Sequence, residues 1–294
     1  NSMINSVKPN LIVSDSRGAW FRATILFILA LIGTVGMWSV VVFIPDIEKE
    51  FGLDRGTSSL LYAFTMIGFG FGTVVIGKVY DKFGIKKPIL LATFVLITSY
   101  YFYSIFPFYW QFLILQFFMG FAASAFFGPA MADISNFFNK QRGFALSIVA
   151  SANYVAGATW PLLIGYFLTF IDWRAAHFWI SICLFIMIPL ILLLKNASVD
   201  ESKSHDMKQR YKDIRLDLSN NQIQVLLMLA GICCCVAMAM PQVHMVALCV
   251  DNGFGLQVGT EILAVMLYSG MISRIVFGMI SDRIGPVLTL LLGS

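Results

Sequence analysis

One arginine, Arg274, lies within an apolar stretch of the sequence, where burying a charged side chain costs free energy. Arg274 falls inside an apolar stretch at about 258–280, and a charge within a membrane-spanning segment needs a partner or a ligand to offset its burial. Its planar, permanently charged guanidinium can hold a carboxylate through two parallel hydrogen bonds. The sequence therefore predicts that Arg274 binds a small organic anion. The alternative is that Arg274 extends to the headgroups at the cytoplasmic surface or pairs with an acid.

Two titratable residues within apolar stretches could carry protons. Asp133 could relay a proton, although we favour an acid at a helix end that pairs with Lys140 or Arg142. His244 could titrate near neutral pH, although a histidine that is hydrogen-bonded within the core is the commoner arrangement. Uncharged residues that could contact a substrate in such a protein are Trp38, Asn153, Tyr154, Trp160 and Gln242.

The composition indicates a protein that lies in lipid. Of the 294 residues, 59% are hydrophobic and 12% are charged, whereas soluble domains usually carry about 25% charged residues. Eight stretches are long enough to cross a membrane as helices, and a ninth begins at Pro286. We therefore predict an all-α transmembrane protein with eight complete spans. These spans are predicted near 20–44, 57–77, 88–106, 111–135, 144–169, 175–194, 222–249 and 258–280.

The basic residues predict the orientation of these spans. Apart from Arg274, all lysines and arginines fall on one side of the membrane except Lys49, Arg55 and Arg174. Loops rich in lysine and arginine stay in the cytoplasm. We therefore expect that side, and the N-terminus with it, to be cytoplasmic.

A loop of the pattern Gly-x-x-x-Asp-[Lys/Arg]-x-Gly occurs twice, after the second and the eighth predicted spans. The first glycine of the pattern allows a neighbouring helix to come close, and the aspartate can cap a helix N-terminus or pair with a cation. The second glycine permits a positive φ. The two copies consist of Gly77, Asp81, Lys82 and Gly84, and of Gly278, Asp282, Arg283 and Gly285. Internal duplication of this kind is common in transporters.

The paired loops resemble the signature of the major facilitator superfamily. The resemblance implies a helical bundle of twelve helices in two halves, with one substrate site between them and alternating access. It also implies that the loops are conformational latches on the cytoplasmic side. The chain would supply eight spans and the beginning of a ninth, which makes the twelve-helix fold incomplete. We divide it into an N-terminal six-helix bundle (18–194), a cytoplasmic linker (195–221) and the start of a C-terminal bundle (222–294).

The stretch around Arg274 resembles the eighth helix of the monocarboxylate transporter branch, in which an arginine holds the substrate carboxylate. Two positions differ, because Gly270 stands where an acid is expected and the first span contains no lysine. The segments 131–138 and 151–154 resemble bacterial members near that branch. The resemblance implies secondary active transport of a monocarboxylate-like anion with proton coupling, in a bacterial inner membrane.

Other functions are less well supported by the residues. A P-loop, a nucleophile elbow and a metal-ligand spacing of the five cysteines are all missing from the sequence, so we expect no enzyme activity, no cofactor and no metal. The expected partners are the lipid bilayer, the organic anion and protons, and not nucleic acid. The alternatives are a transporter of a drug, sugar or amino acid, and a truncated membrane fragment, either inert or completed by a separately encoded C-terminal remainder.

Overall fold

The computed structural model describes residues 15–194 and 219–293, and all regular secondary structure within these ranges is helical. The predicted all-α character is thus confirmed for this part of the chain. Seven continuous helical stretches of the described residues are long and apolar enough to cross a membrane. Some of these stretches join two of the helices named below. A further helix at 220–251 covers the predicted seventh span but is not among these seven, so the count of eight spans and the start of a ninth is not confirmed.

The helices are named in chain order. They are α1 (Arg17–Gly33), α2 (Val35–Phe51), α3 (Arg55–Phe83), α4 (Lys86–Ile105), α5 (Tyr109–Ala123), α6 (Gly128–Ser135), α7 (Arg142–Phe167), α8 (Trp173–Cys183), α9 (Met187–Leu193), α10 (Asn220–Asp251), α11 (Gly255–Ile284) and α12 (Pro286–Gly293). Short 3-10 turns at Ser124–Phe126 and Leu184–Ile186 join α5 to α6 and α8 to α9. Residues 195–218 of the predicted linker lie outside the described residues.

The first membrane-spanning helix is longer than the apolar pattern predicts. α1 and α2 form one span from Arg17 to Phe51, although Pro45 follows the predicted end at residue 44. The two helices meet at Thr34, whose hydroxyl donates to the carbonyl oxygen of Ala30 at 2.7 Å. The span ends at Gly52, which adopts a left-handed conformation with φ of 62°. Charged residues such as Lys49 are thus carried on the last turns of this helix.

Backbone contacts bring α3 and α5 close together. A Cβ atom on Gly68 would lie 1.9 Å from the carbonyl oxygen of Phe117, and one on Gly120 would lie 1.9 Å from that of Thr65. The side chains of Thr65 and Gln116 are hydrogen-bonded at 2.8 Å in the same contact. Small residues thus allow two helices to pack through their backbones, as is common within membranes.

The outer surface of the bundle is apolar. Phe71, Leu192 and Met240 expose 63%, 69% and 72% of their surfaces. A chain with so little charge and so many exposed apolar side chains contacts hydrocarbon rather than water. The helical bundle is therefore embedded in the lipid bilayer.

The position of α7 determines where the candidate site lies. α7 packs against α1 and α2 on one side and against α11 along its length on the other, while α11 also packs against α10. The seam between α7 and α11 thus joins the part of the chain before residue 194 to the part after residue 219.

Candidate functional site

One end of the α7–α11 seam is closed by the second copy of the repeated loop. The carboxylate of Asp282 accepts hydrogen bonds from the backbone N–H groups of Gly143, at 2.6 Å, and Phe144, at 2.8 Å. These N–H groups belong to the first turn of α7, whose N-cap residue Gln141 makes no side-chain cap. A negative charge at this position satisfies free donors and interacts favourably with the helix dipole. Asp282 therefore caps α7 from a different helix.

Glycines allow this contact to form. A Cβ atom on Gly278 would lie 2.2 Å from Oγ of Ser147, and one on Gly143 would lie 2.9 Å from the carbonyl oxygen of Gly278. Side chains at either position would push the two helices apart.

The first copy of the loop has the same backbone but different surroundings. Gly84 has φ of 72° and Gly285 has φ of 88°, so both copies turn through the positive φ that the pattern predicts. Asp81 is exposed and accepts no hydrogen bond from the residues that the structure describes. A Cβ atom on Gly77 would meet nothing within 4 Å. Among residues 15–194 and 219–293, the first copy thus makes no helix contact comparable to that of the second.

Arg274 lies on the face of α11 that contacts α7. Its Nη1 donates to the carbonyl oxygen of Ala150 at 3.2 Å and its Nη2 donates to the hydroxyl of Tyr154 at 3.4 Å. The guanidinium also lies 4.4 Å above the centre of the Tyr154 ring, a contact that contributes about 0.5–2 kcal/mol in proteins. Within residues 15–194 and 219–293, no carboxylate lies at salt-bridge distance from Arg274.

Tyr154 fills the space beside Gly270. A Cβ atom on Gly270 would lie 2.7 Å from Cε1 of Tyr154. Gly270 and Arg274 are one helical turn apart, so they lie on the same face of α11. The space that a side chain at 270 would fill is therefore occupied by a tyrosine ring from α7.

Two other predicted substrate residues join this network. Nε1 of the buried Trp38 donates to Oδ1 of Asn153 at 2.9 Å, which ties α2 to α7 next to Tyr154. The hydroxyl of Tyr154 also lies 3.8 Å from the sulfur of Met238 on α10. The structure thus brings Trp38, Asn153, Tyr154 and Arg274 together.

The last two predicted substrate residues stand apart from the network. Gln242 is partly buried on α10 and makes no hydrogen bond within the described part of the chain. Trp160 donates from Nε1 to the carbonyl oxygen of Leu31 at 2.8 Å. Its ring lines an apolar cavity of about 570 Å³ between α7 and α8, together with Leu163, Phe167 and Trp179.

The family follows from the sequence as a whole. The model of the Major Facilitator Superfamily matches residues 26–294. The chain belongs to the Major Facilitator Superfamily. The predicted superfamily is thus confirmed.

Curated relatives from this superfamily are transporters of fungi and bacteria. The chain is 27% identical to the "MFS-type transporter pynF" of Aspergillus niger over 221 residues, which cover 73% of this chain and 49% of that protein. It is 24% identical to the "Agnestins efflux protein AgnL12" of Paecilomyces divaricatus over 252 residues, or 83% of this chain and 56% of that protein. The chain thus spans about half the length of these relatives. Because fungal proteins are among them, the expected bacterial inner membrane is not supported.

A solved structure of the superfamily shows the same fold. The chain is similar to the xylose transporter XylE from E. coli in its inward-open conformation, with a TM-score of 0.54 and 13% identity. The likeness covers 90% of this chain and 66% of XylE. These comparisons support neither the monocarboxylate branch nor proton coupling.

The structure corrects the expected environment of Asp133 and His244. Asp133 is buried and forms a bidentate pair with Arg22 of α1, with distances of 2.6 and 2.9 Å, rather than pairing with Lys140 or Arg142. Arg22 comes from the first turns of α1, 111 residues away in sequence. His244 is exposed on α10, so it is not the hydrogen-bonded core histidine that we favoured.

Sequence reasoning missed an ion pair at the end of the bundle opposite Asp282. Arg55 at the start of α3 donates to Asp251 at the end of α10, at 2.9 Å. Nε of Arg55 also lies 3.1 Å from the carboxylate of Glu48. Arg55 and Asp251 are far apart in sequence. The one feature of the sequence that pointed to this ion pair is that Arg55 is among the few basic residues on its side of the membrane.

Proposed function

We propose that the chain belongs to a secondary active transporter that moves a small organic anion by alternating access, with Arg274 as the anion-binding group. The observation that carries the proposal is a guanidinium within a membrane-spanning helix that has no carboxylate partner among the described residues. Such a charge is costly in lipid and marks a functional site by default.

The geometry leaves Arg274 able to bind an anion. Its two hydrogen bonds are long, at 3.2 and 3.4 Å, and both acceptors are uncharged. A carboxylate forms shorter and stronger bonds with guanidinium, so it can displace these contacts. Trp38 and Asn153 support the neighbouring turn of α7 and complete our candidate site.

Gating by the two loops and the division into two bundles are part of the same proposal. We assign Gly77, Asp81, Lys82 and Gly84, and their counterparts Gly278, Asp282, Arg283 and Gly285, to the cytoplasmic latches. The contact of Asp282 with the first turn of α7 supports this assignment. Neither Asp133 nor His244 is hydrogen-bonded to Arg274, so proton coupling is not included.

A second candidate is the efflux of a solute other than a small anion. It is favoured by the relatives from Paecilomyces divaricatus and Gibberella fujikuroi, which are named as efflux proteins. The two candidates differ in the direction of transport and in the kind of substrate, and they share the need for a binding group in the membrane.

The experiment measures uptake by the full chain in proteoliposomes. The probes are formate, acetate, lactate, pyruvate, succinate and benzoate, with glucose and glycerol as uncharged controls. We expect uptake of at least one anion, and we expect Arg274→Ala to reduce it at least tenfold, whereas Arg274→Lys retains the charge but loses the planar fork and is intermediate. Arg17→Ala, which removes an exposed arginine at the start of α1 that has no role in the proposal, is the matched control. Unchanged anion affinity in Arg274→Ala, or no uptake of any anion, would contradict the proposal.

A further inference from the structure

We infer that Gly270 and Tyr154 are positioning residues for Arg274, and that the missing side chain at 270 determines how this protein holds its anion-binding guanidinium. The inference rests on the proposed function of Arg274. It assigns a role to Gly270. In the sequence, this residue was notable only as a glycine in place of the acid that the monocarboxylate pattern has.

The first step is the fit between Gly270 and Tyr154. The Cε1 and Cδ1 atoms of the Tyr154 ring would lie 2.7 and 3.0 Å from a Cβ atom on Gly270. Both distances are shorter than normal van der Waals contact. Any other residue at 270 therefore has to move the ring or separate α7 from α11.

The second step is the contact between Tyr154 and Arg274. The ring lies face-on to the guanidinium at 4.4 Å, and its hydroxyl accepts from Nη2. Cation–π contact and a hydrogen bond from the same side chain fix both the plane and the rotation of the guanidinium. Nη1 is held in addition by the carbonyl oxygen of Ala150, one turn earlier on α7.

The consequence concerns charge. An acid at 270 would neutralise the arginine that lies one turn away on the same helix face. A tyrosine ring orients the guanidinium without cancelling its charge. The arrangement therefore leaves Arg274 as a cation that is pre-oriented for an anionic ligand, and pre-orientation raises affinity because less freedom is lost on binding.

A double-mutant cycle tests this chain of contacts. The variants are Gly270→Ala, Tyr154→Ala and the double variant, with the fastest-transported anion of the panel above as the probe. We expect each single variant to raise the KM at least fivefold with a smaller change in kcat. Because alanine at 154 removes the ring with which a side chain at 270 collides, we expect the double variant to be no worse than Tyr154→Ala alone. Fold-changes in KM that simply multiply would overturn the inference.

Two controls separate positioning from folding. Gly70→Ala places the same methyl group at a helical site on α3 where a Cβ meets nothing within 4 Å, and we expect its KM to be unchanged. Tyr154→Phe keeps the ring and loses the hydroxyl, so its KM should fall between those of the parent protein and Tyr154→Ala. A Tyr154→Phe variant as weak as Tyr154→Ala would refute the role of the ring face.

The outcomes also distinguish this inference from the function on which it rests. If Arg274→Ala leaves the anion affinity unchanged, the proposed function fails. If Arg274→Ala abolishes uptake but Gly270→Ala leaves KM unchanged, the function stands and the positioning role of Gly270 is wrong.

Discussion

The two copies of the repeated loop share residue types and backbone but differ in what they touch. In the second copy, Asp282 caps the first turn of α7 and Gly278 lies against Ser147. In the first copy, Asp81 is exposed and the space around Gly77 is open among the described residues. The turn is therefore a property of the loop itself, whereas the capping contact requires the N-terminus of a second helix.

The largest difference is expected at the first glycine of each copy. Gly278→Ala forces a methyl group to within 2.2 Å of Oγ of Ser147, and overpacking of this kind costs about 1–3 kcal/mol. Gly77→Ala should be neutral or slightly stabilising, because alanine is the better helix former. Thermal unfolding in detergent, followed by tryptophan fluorescence, measures both. Ser147→Gly should partly restore the stability of Gly278→Ala. Equal losses of stability in Gly77→Ala and Gly278→Ala would contradict the difference in packing between the two copies.

A smaller difference is expected at the two aspartates. Asp282→Asn removes the charge that caps α7, and the loss of such a cap costs about 1 kcal/mol. Hydrogen exchange measured by mass spectrometry should show faster exchange in the peptide that contains Gly143 and Phe144. Asp81→Asn, the matched change, should leave exchange throughout the described helices unaltered. Faster exchange at 143–144 in both variants would contradict a local cap.

The smallest difference, close to zero, is expected at the second glycine of each copy. Gly84→Ala and Gly285→Ala both place an L-residue at positive φ with extended ψ, which costs about 1–3 kcal/mol. Because this strain lies in the loop itself, the two variants should lower the unfolding temperature by similar amounts. If the two variants lower the unfolding temperature by clearly different amounts, the surroundings of the loops, and not the turn, require these glycines.

Much of the local structure could be predicted from the sequence. Apolar stretches predicted the helices to within a few residues in most cases, and the loop pattern predicted the positive φ of Gly84 and Gly285. The first helix was predicted to end near residue 44, where the apolar stretch ends, yet it continues through Pro45 to Phe51. A proline inside a helix removes one backbone hydrogen bond and crowds the preceding turn, and the packing of a buried helix can outweigh that loss.

The partners of the charged residues could not be predicted in the same way. Arg22 and Asp133 are 111 residues apart and Arg55 and Asp251 are 196 apart, so no helical spacing relates them. Arg274 was found because its charge interrupts an apolar stretch, but the tyrosine beneath it comes from another helix. Which side chains meet is determined by how the helices pack.

The glycines of the α7–α11 seam have a consequence for motion. The helices meet through Gly143 and Gly278 at one end, and near the other end a Cβ atom on Gly165 would lie 3.4 Å from the methyl group of Thr260. Side chains that interlock across an interface must change rotamers before the two helices can shift. Where glycines bring the backbones into contact, there are few side chains that have to move. The seam is therefore suited to small shear displacements between rigid helices, and such a displacement would have to break the cap that Asp282 forms on α7.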